Sequence, residues 1–217
     1  MLALLVMFAA ADVAPPPRPA DPFARWEKDV AAIEKRLAAN PPGPGAVLFV
    51  GSSSIVKWDV KKSFPDARHV NVGFGGSVIA DSTHFAGRII SPFKPGTIVF
   101  YAGDNDIGRG NKPEQVATDF EAFVQTARRD NPNCRILFIA VKPSISRWKL
   151  FDKQKQANAL VKSFCEREKN LVYVDVVPLM LGADGMPVPE LFVTDGLHMS
   201  PKGYEVWTAE LKKFLAK

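Results

Sequence analysis

Ala46-Val-Leu-Phe-Val-Gly-Ser-Ser-Ser54 constrains the fold of this chain more than any other stretch. A short run of branched and aromatic residues stopped by glycine reads as a buried strand feeding a tight turn. In an open parallel sheet, the turn leaving the carboxyl end of a strand is where ligands bind. Three serines in that turn put hydroxyl groups where chemistry is done.

The same grammar recurs down the chain. Further strands are expected over Arg68 to Val72, Thr97 to Ala102, Arg135 to Val141 and Leu171 to Asp175. Helical spacing predicts helices over Pro22 to Ala39, Ile55 to Ser63, Val78 to Ile90, Pro113 to Arg129, Phe151 to Arg167 and Pro201 to about Leu215. Asp21 is placed to cap the first and Ser200 the last, each followed by proline at the first helical position. Trp58 is the apolar anchor of the helix after the serines. Five strands alternating with helices imply an α/β three-layer sandwich around a five-stranded parallel sheet. Right-handed crossovers leave few topologies, and the flavodoxin-like strand order 2-1-3-4-5 is the expectation.

The chain has 217 residues, enough for one domain with a substantial core, expected over residues 21–217. With 47% apolar and 24% charged residues it has the composition of an ordinary globular protein. The formal charge is +5, but Lys and Arg are interleaved with acids rather than clustered, which argues against a nucleic-acid partner. Residues 1–20 read as a leader: an apolar, Ala-rich segment resembling a signal h-region without its basic start, then the Pro-rich linker at Pro15 to Pro19. The apolar segment is too short to span a bilayer as a helix. Periplasmic or secreted placement is expected, with an unprocessed leader and a cytoplasmic protein as the alternative. Cys134 and Cys165 fit no metal spacing; two buried thiols or a disulfide are both open.

The polar clusters are sorted in a way that chance does not produce. Ser53 follows the first strand, Gly76 the second and Asn105 the third, while Asp195 and His198 follow the fifth. In a parallel sheet all of these converge on one rim.

Four blocks in this order resemble the SGNH (GDSL) hydrolase superfamily of serine esterases and lipases. Gly51-Ser52-Ser53-Ser54 is similar to its Gly-Asp-Ser-Leu block, and Asn71 to Gly76 to its Asn-x-x-x-x-Gly block. Gly103-Asp104-Asn105-Asp106 matches Gly-x-Asn-Asp, and Asp195-Gly-Leu-His198 matches Asp-x-x-His. The first block departs from the pattern, with Ser52 for aspartate and Ser54 for leucine. The resemblance implies the flavodoxin-like sandwich, Ser53 as nucleophile, His198 as base and Asp195 as its orienter. It also implies an oxyanion hole made by Gly76, Asn105 and the amide of Ser53 itself, and no cofactor or metal.

The chemistry supports these roles without the name. A serine hydroxyl needs a hydrogen-bonded base, and imidazole is the side chain best suited near neutral pH. An aspartate three residues before the histidine can fix its tautomer. A tetrahedral intermediate needs donors aimed at its developing charge, and a glycine lets the backbone approach.

Against this stand blander readings. Gly-Ser-Ser-Ser alone is a polar turn, Asn105 a helix cap, and His69 and His84 structural side chains. Asp104 and Asp106 are expected to solvate and cap a loop rather than hold a metal. Trp58, Trp148 and Trp207 are expected in packing. Lys142, Arg147 and Trp148 leave the fourth strand at the active rim and are candidates for substrate contact. The expected substrate is a small acyl ester, either a short-chain ester or an acetylated carbohydrate. Acyl transfer on the same residues, and a non-catalytic carbohydrate- or ligand-binding module, are the competing functions.

Overall fold

The computed structural model describes residues 21–65 and 68–215. The leader and Pro-rich linker read at 1–20 lie outside the described residues.

Five strands, β1 (Val47–Gly51), β2 (His69–Asn71), β3 (Thr97–Tyr101), β4 (Arg135–Ile139) and β5 (Leu171–Val174), form one parallel sheet in the order β2-β1-β3-β4-β5. This is the order the sequence predicts. The helices are α1 (Glu27–Ala39), α2 (Ser53–Val56), α3 (Val60–Ser63), α4 (Ile79–Ile89), α5 (Asp104–Gly108), α6 (Pro113–Arg128), α7 (Phe151–Arg167) and α8 (Pro201–Leu215).

Alternation along each strand divides the sheet between two cores. Leu48, Val50, Ile98, Phe100, Ile136 and Phe138 face the layer built by α1, α4, α6 and α7. Phe49, Val99, Tyr101, Leu137, Ile139 and Val174 face the other layer, where Trp58, Trp207 and Leu211 from the α2–α3 segment and α8 cover them. A strand buried on both faces has no polar alternation, which is why the runs in the sequence are continuously apolar.

Three local features differ from the expectation. The first helix opens with a 3-10 turn at Ala24–Trp26, because the Asp21 carboxylate accepts from the Phe23 N–H at 2.9 Å and tightens the entry. The helix predicted over Ile55 to Ser63 is two single turns, α2 and α3. Asp59 interrupts it by capping α3, accepting from the Lys62 N–H at 3.0 Å, while Trp58 drops into the core beside Phe49. The Gly103-Asp-Asn-Asp106 turn, expected as a loop, is the start of α5.

Cys134 and Cys165 are free and buried in the same core. Burial pushes their thiols up to about 11 and about 12, which makes both inert at neutral pH. His84 stacks on Phe23 with ring centroids 3.8 Å apart, and His69 packs against Phe49 and Phe64. Among the described residues, no helix is long and apolar enough to cross a membrane.

Candidate active site

The Ser53 turn is set by a close approach between two strands. Gly51 has φ +137°, and a Cβ there would lie 1.9 Å from the carbonyl oxygen of Tyr101 on β3. Only glycine fits. Immediately after it, the Ser52 N–H donates to that same Tyr101 oxygen at 3.0 Å, and the chain turns into α2 with Ser53 as its first residue. The N–H of a first helical residue, here Ser53, has no acceptor within the helix. Asn71 ties the turn to β2, its Nδ2 donating to the carbonyl of Ile55 at 2.5 Å and its Oδ1 accepting from the Gly73 N–H at 3.0 Å. The Tyr204 hydroxyl, on α8, donates to the carbonyl of Ser54 at 2.9 Å. Nothing in the local sequence around Tyr204 signals this second clamp.

The Asp-x-x-His spacing has a visible cause. One oxygen of Asp195 accepts from the backbone N–H groups of Leu197 and His198, both at 2.8 Å, which curls the segment into a tight turn. Gly196 takes φ +62° to allow it. The other oxygen is thereby aimed at the imidazole, 2.6 Å from His198 Nδ1. His198 Nε2 in turn lies 2.9 Å from Ser53 Oγ. Residues 145 positions apart are thus joined in a single hydrogen-bonded chain from carboxylate to hydroxyl. The hydrogen bonds from the His198 ring and backbone hold the Asp195 carboxyl well below the usual carboxylate range, although its side chain is 48% exposed. A carboxylate held in its charged form beside Nδ1 favours the tautomer that carries the proton there.

Gly76 and Asn105 meet from the β2 and β3 ends of the sheet. Gly76 turns with φ +76°. Its carbonyl accepts from Arg109 Nη2 at 2.7 Å. Asn105 Nδ2 donates to the carbonyl of Ser77, the next residue, at 3.0 Å. The two loops are stitched by Asp106, whose carboxylate accepts from the Ile79 N–H at 3.1 Å and the Gly103 N–H at 3.0 Å.

Asp106 caps α5 as expected, accepting from the Gly103 N–H, but it and Asp104 are buried rather than solvated. Burial pushes Asp106 up to about 6, against the opposing pull of its backbone donors. Between about pH 4 and 6 the folded state keeps a proton that the unfolded chain has released, so the stability from this group is present below about pH 4 and lost as pH rises through about 6. The two limits differ by about 3 kcal/mol. Asp106→Asn is expected to shift its unfolding free energy relative to wild type by up to that amount in its own favour between pH 4 and pH 7.5, read by urea melts. A constant difference across that window contradicts the assignment.

The three residues expected to contact substrate behave differently. Lys142 is fully buried, and its Nζ pairs with Asp104 at 3.5 Å. Asn158 of α7 holds the strand extension just before it, bonding both the N–H and the carbonyl of Val141 at 2.8 Å, and the lysine points inward. Arg147 is also turned in, its Nη1 2.9 Å from Asp104. Trp148 stacks on Phe151 at 4.6 Å, a packing role. A groove of about 730 Å³ between the α2–α3 segment and α8, lined by Trp58, Met199 and Tyr204, contains none of Ser53, Asp195 and His198.

The GDSL-like lipase/acylhydrolase family profile matches residues 43–206. The chain is 27% identical over 168 residues to platelet-activating factor acetylhydrolase IB subunit alpha2 of Rattus norvegicus, covering 73% of this chain and 70% of that one. Among solved structures, a Streptococcus pneumonia protein named for platelet activating factor superposes with TM-score 0.78 at 21% identity, over 87% of this chain and 92% of that one. A GDSL-like lipase from Bacteroides thetaiotaomicron gives TM-score 0.71 at 16% identity, over 86% and 97%. The structural neighbours establish the fold, and the profile the family. The chain belongs to the GDSL-like lipase/acylhydrolase family and is an ester hydrolase.

Proposed function

We propose that the protein is a serine esterase that releases small acyl groups through an acyl-enzyme on Ser53. The observation that carries this reading is the continuous chain Ser53 Oγ, His198 Nε2, His198 Nδ1, Asp195 Oδ2, with links of 2.9 and 2.6 Å. In the first half-reaction Ser53 Oγ attacks the ester carbonyl while His198 Nε2 takes its proton. The carbonyl oxygen becomes an oxyanion and is received by the N–H groups of Ser53 and Gly76 and the Asn105 amide. Collapse breaks the ester bond, and the imidazolium returns the proton to the departing alcohol. Water then repeats the sequence on the acyl-enzyme, releasing the acid and restoring the serine. Asp195 stabilises the imidazolium in both halves without itself taking the proton.

The acyl group is short in this reading. Support comes from the acetylhydrolase named above, to which the chain is 27% identical over 168 residues. The test is a series of p-nitrophenyl esters together with acetylated xylose. Acetate is expected to exceed palmitate in kcat/KM by at least about 10-fold, the scale on which a few methylenes discriminate. A preference for palmitate would contradict the small-acyl reading, and no turnover of any ester by folded protein would contradict the esterase itself.

A further inference from the structure

Backbone donors are held by the fold, but the Asn105 amide is a side chain, and something must fix which way it faces. Two contacts do. Arg147 Nη2 donates to Asn105 Oδ1 at 3.0 Å, and Asn105 Nδ2 gives one of its protons to the carbonyl of Ser77 at 3.0 Å. An amide gripped this way cannot flip, since the flipped form would set NH2 against a guanidinium and oxygen against a carbonyl. The direction of its second N–H is then determined.

Arg147 is itself held on several sides. Its Nη1 lies 2.9 Å from Asp104 Oδ1, and the Asp104 side chain is only 7% exposed. Gln154 Nε2 donates to the same carboxylate at 3.0 Å, and the buried Lys142 faces its other oxygen at 3.5 Å. The guanidinium lies on Gly108, where a Cβ would come within 3.0 Å of Arg147 Cζ. Gly108 is one helical turn after Asn105 on α5, so the helix that presents the amide also provides the seat for the arginine.

We infer that Arg147 is a positioning residue for ester hydrolysis, locking the Asn105 amide so that its remaining N–H points at the oxyanion. This rests on the reading of Asn105 as an oxyanion donor. The guanidinium also draws electron density from the amide oxygen, which strengthens the N–H as a donor. A lysine cannot replace it, because a single ammonium does not fork between Asp104 and Asn105.

The test is steady-state hydrolysis of p-nitrophenyl acetate by wild type, Asn105→Ala, Arg147→Met, Arg147→Lys and the Asn105→Ala/Arg147→Met double variant, each with a thermal melt. Asn105→Ala is expected to lower kcat by about 100- to 1000-fold. Arg147→Met should lower kcat by about 10- to 50-fold with KM within about 2-fold, because a misdirected donor loses part of what a deleted one loses. Arg147→Lys should restore less than about a third of that loss. In the Asn105→Ala background, Arg147→Met should cost less than about 3-fold, since there is no amide left to aim.

An undiminished cost in that background overturns the inference, as does a rise in KM with kcat kept, which would make Arg147 a substrate contact. Unchanged kinetics in Arg147→Met, with Asn105→Ala impaired, would sink this inference and leave the esterase reading standing. An inactive wild type would sink the esterase reading itself. If Arg147→Met fails to melt cooperatively, Gly108→Ala takes its place, since it keeps every charge and displaces the guanidinium by a few tenths of an ångström. It should lower kcat by about 3- to 10-fold at constant KM, and by nothing further once Asn105 is alanine. A full effect without Asn105 would overturn the inference equally.

Discussion

Ser53→Ala is expected to reduce ester hydrolysis by at least about 10⁴-fold, the scale on which removing the nucleophile of a hydrogen-bonded triad acts. The melting temperature should hardly move. Ser53 is only partly buried, and its side-chain bond runs to His198, whose imidazole is 20% exposed and can turn to water instead. The flanking serines make the comparison sharp. Ser52 and Ser54 are both buried, and the imidazole bonds to neither. Ser52→Ala and Ser54→Ala should therefore keep activity within about 10-fold of wild type. Equal losses at all three positions would mean that the turn as a whole matters rather than the one hydroxyl.

Gly51→Ala should be the most damaging single change to the fold. The added methyl would meet the Tyr101 carbonyl oxygen at 1.9 Å and its carbon at 2.7 Å, and both atoms belong to the backbone of the neighbouring central strand. No rotamer relieves such a clash. The positive φ of 137° adds strain that an L side chain does not tolerate. The ladder between β1 and β3, where Gly51 pairs with Tyr101, has to open at the end that carries Ser53. The expected cost is at least about 4 kcal/mol, seen as a melting temperature lower by about 10 °C or more. A variant that folds with a melting temperature within about 3 °C of wild type would show that the strand ends are looser than drawn here.

How far the sequence reached is explained by where each constraint resides. Strand order and the rim were legible because β1 to β5 are short apolar runs with polar turns, and a parallel sheet puts all those turns on one edge. Asp195 and His198 were legible because the device that orients them is local, a carboxylate bonding N–H groups two and three residues ahead. The break between α2 and α3 was not, since it depends on Trp58 finding a cavity beside Phe49 and Tyr204 that exists only in the folded chain. The largest departure was the cluster of Lys142, Asp104 and Arg147. Their charges suggested exposure, and local patterning offers no sign that the ends of β3 and β4 would bury them together. Lys142 shows the consequence: burial pulls its ammonium down while Asp104 pushes it back up.

Labelling with a fluorophosphonate followed by peptide mapping tests directly whether a hydroxyl at the end of β1 is activated by an imidazole 145 positions away. A single modification is expected, on Ser53, absent in Ser53→Ala and slowed by at least about 100-fold in His198→Ala. Modification of Ser52 or Ser54 instead, or no labelling of folded wild-type protein, would contradict it.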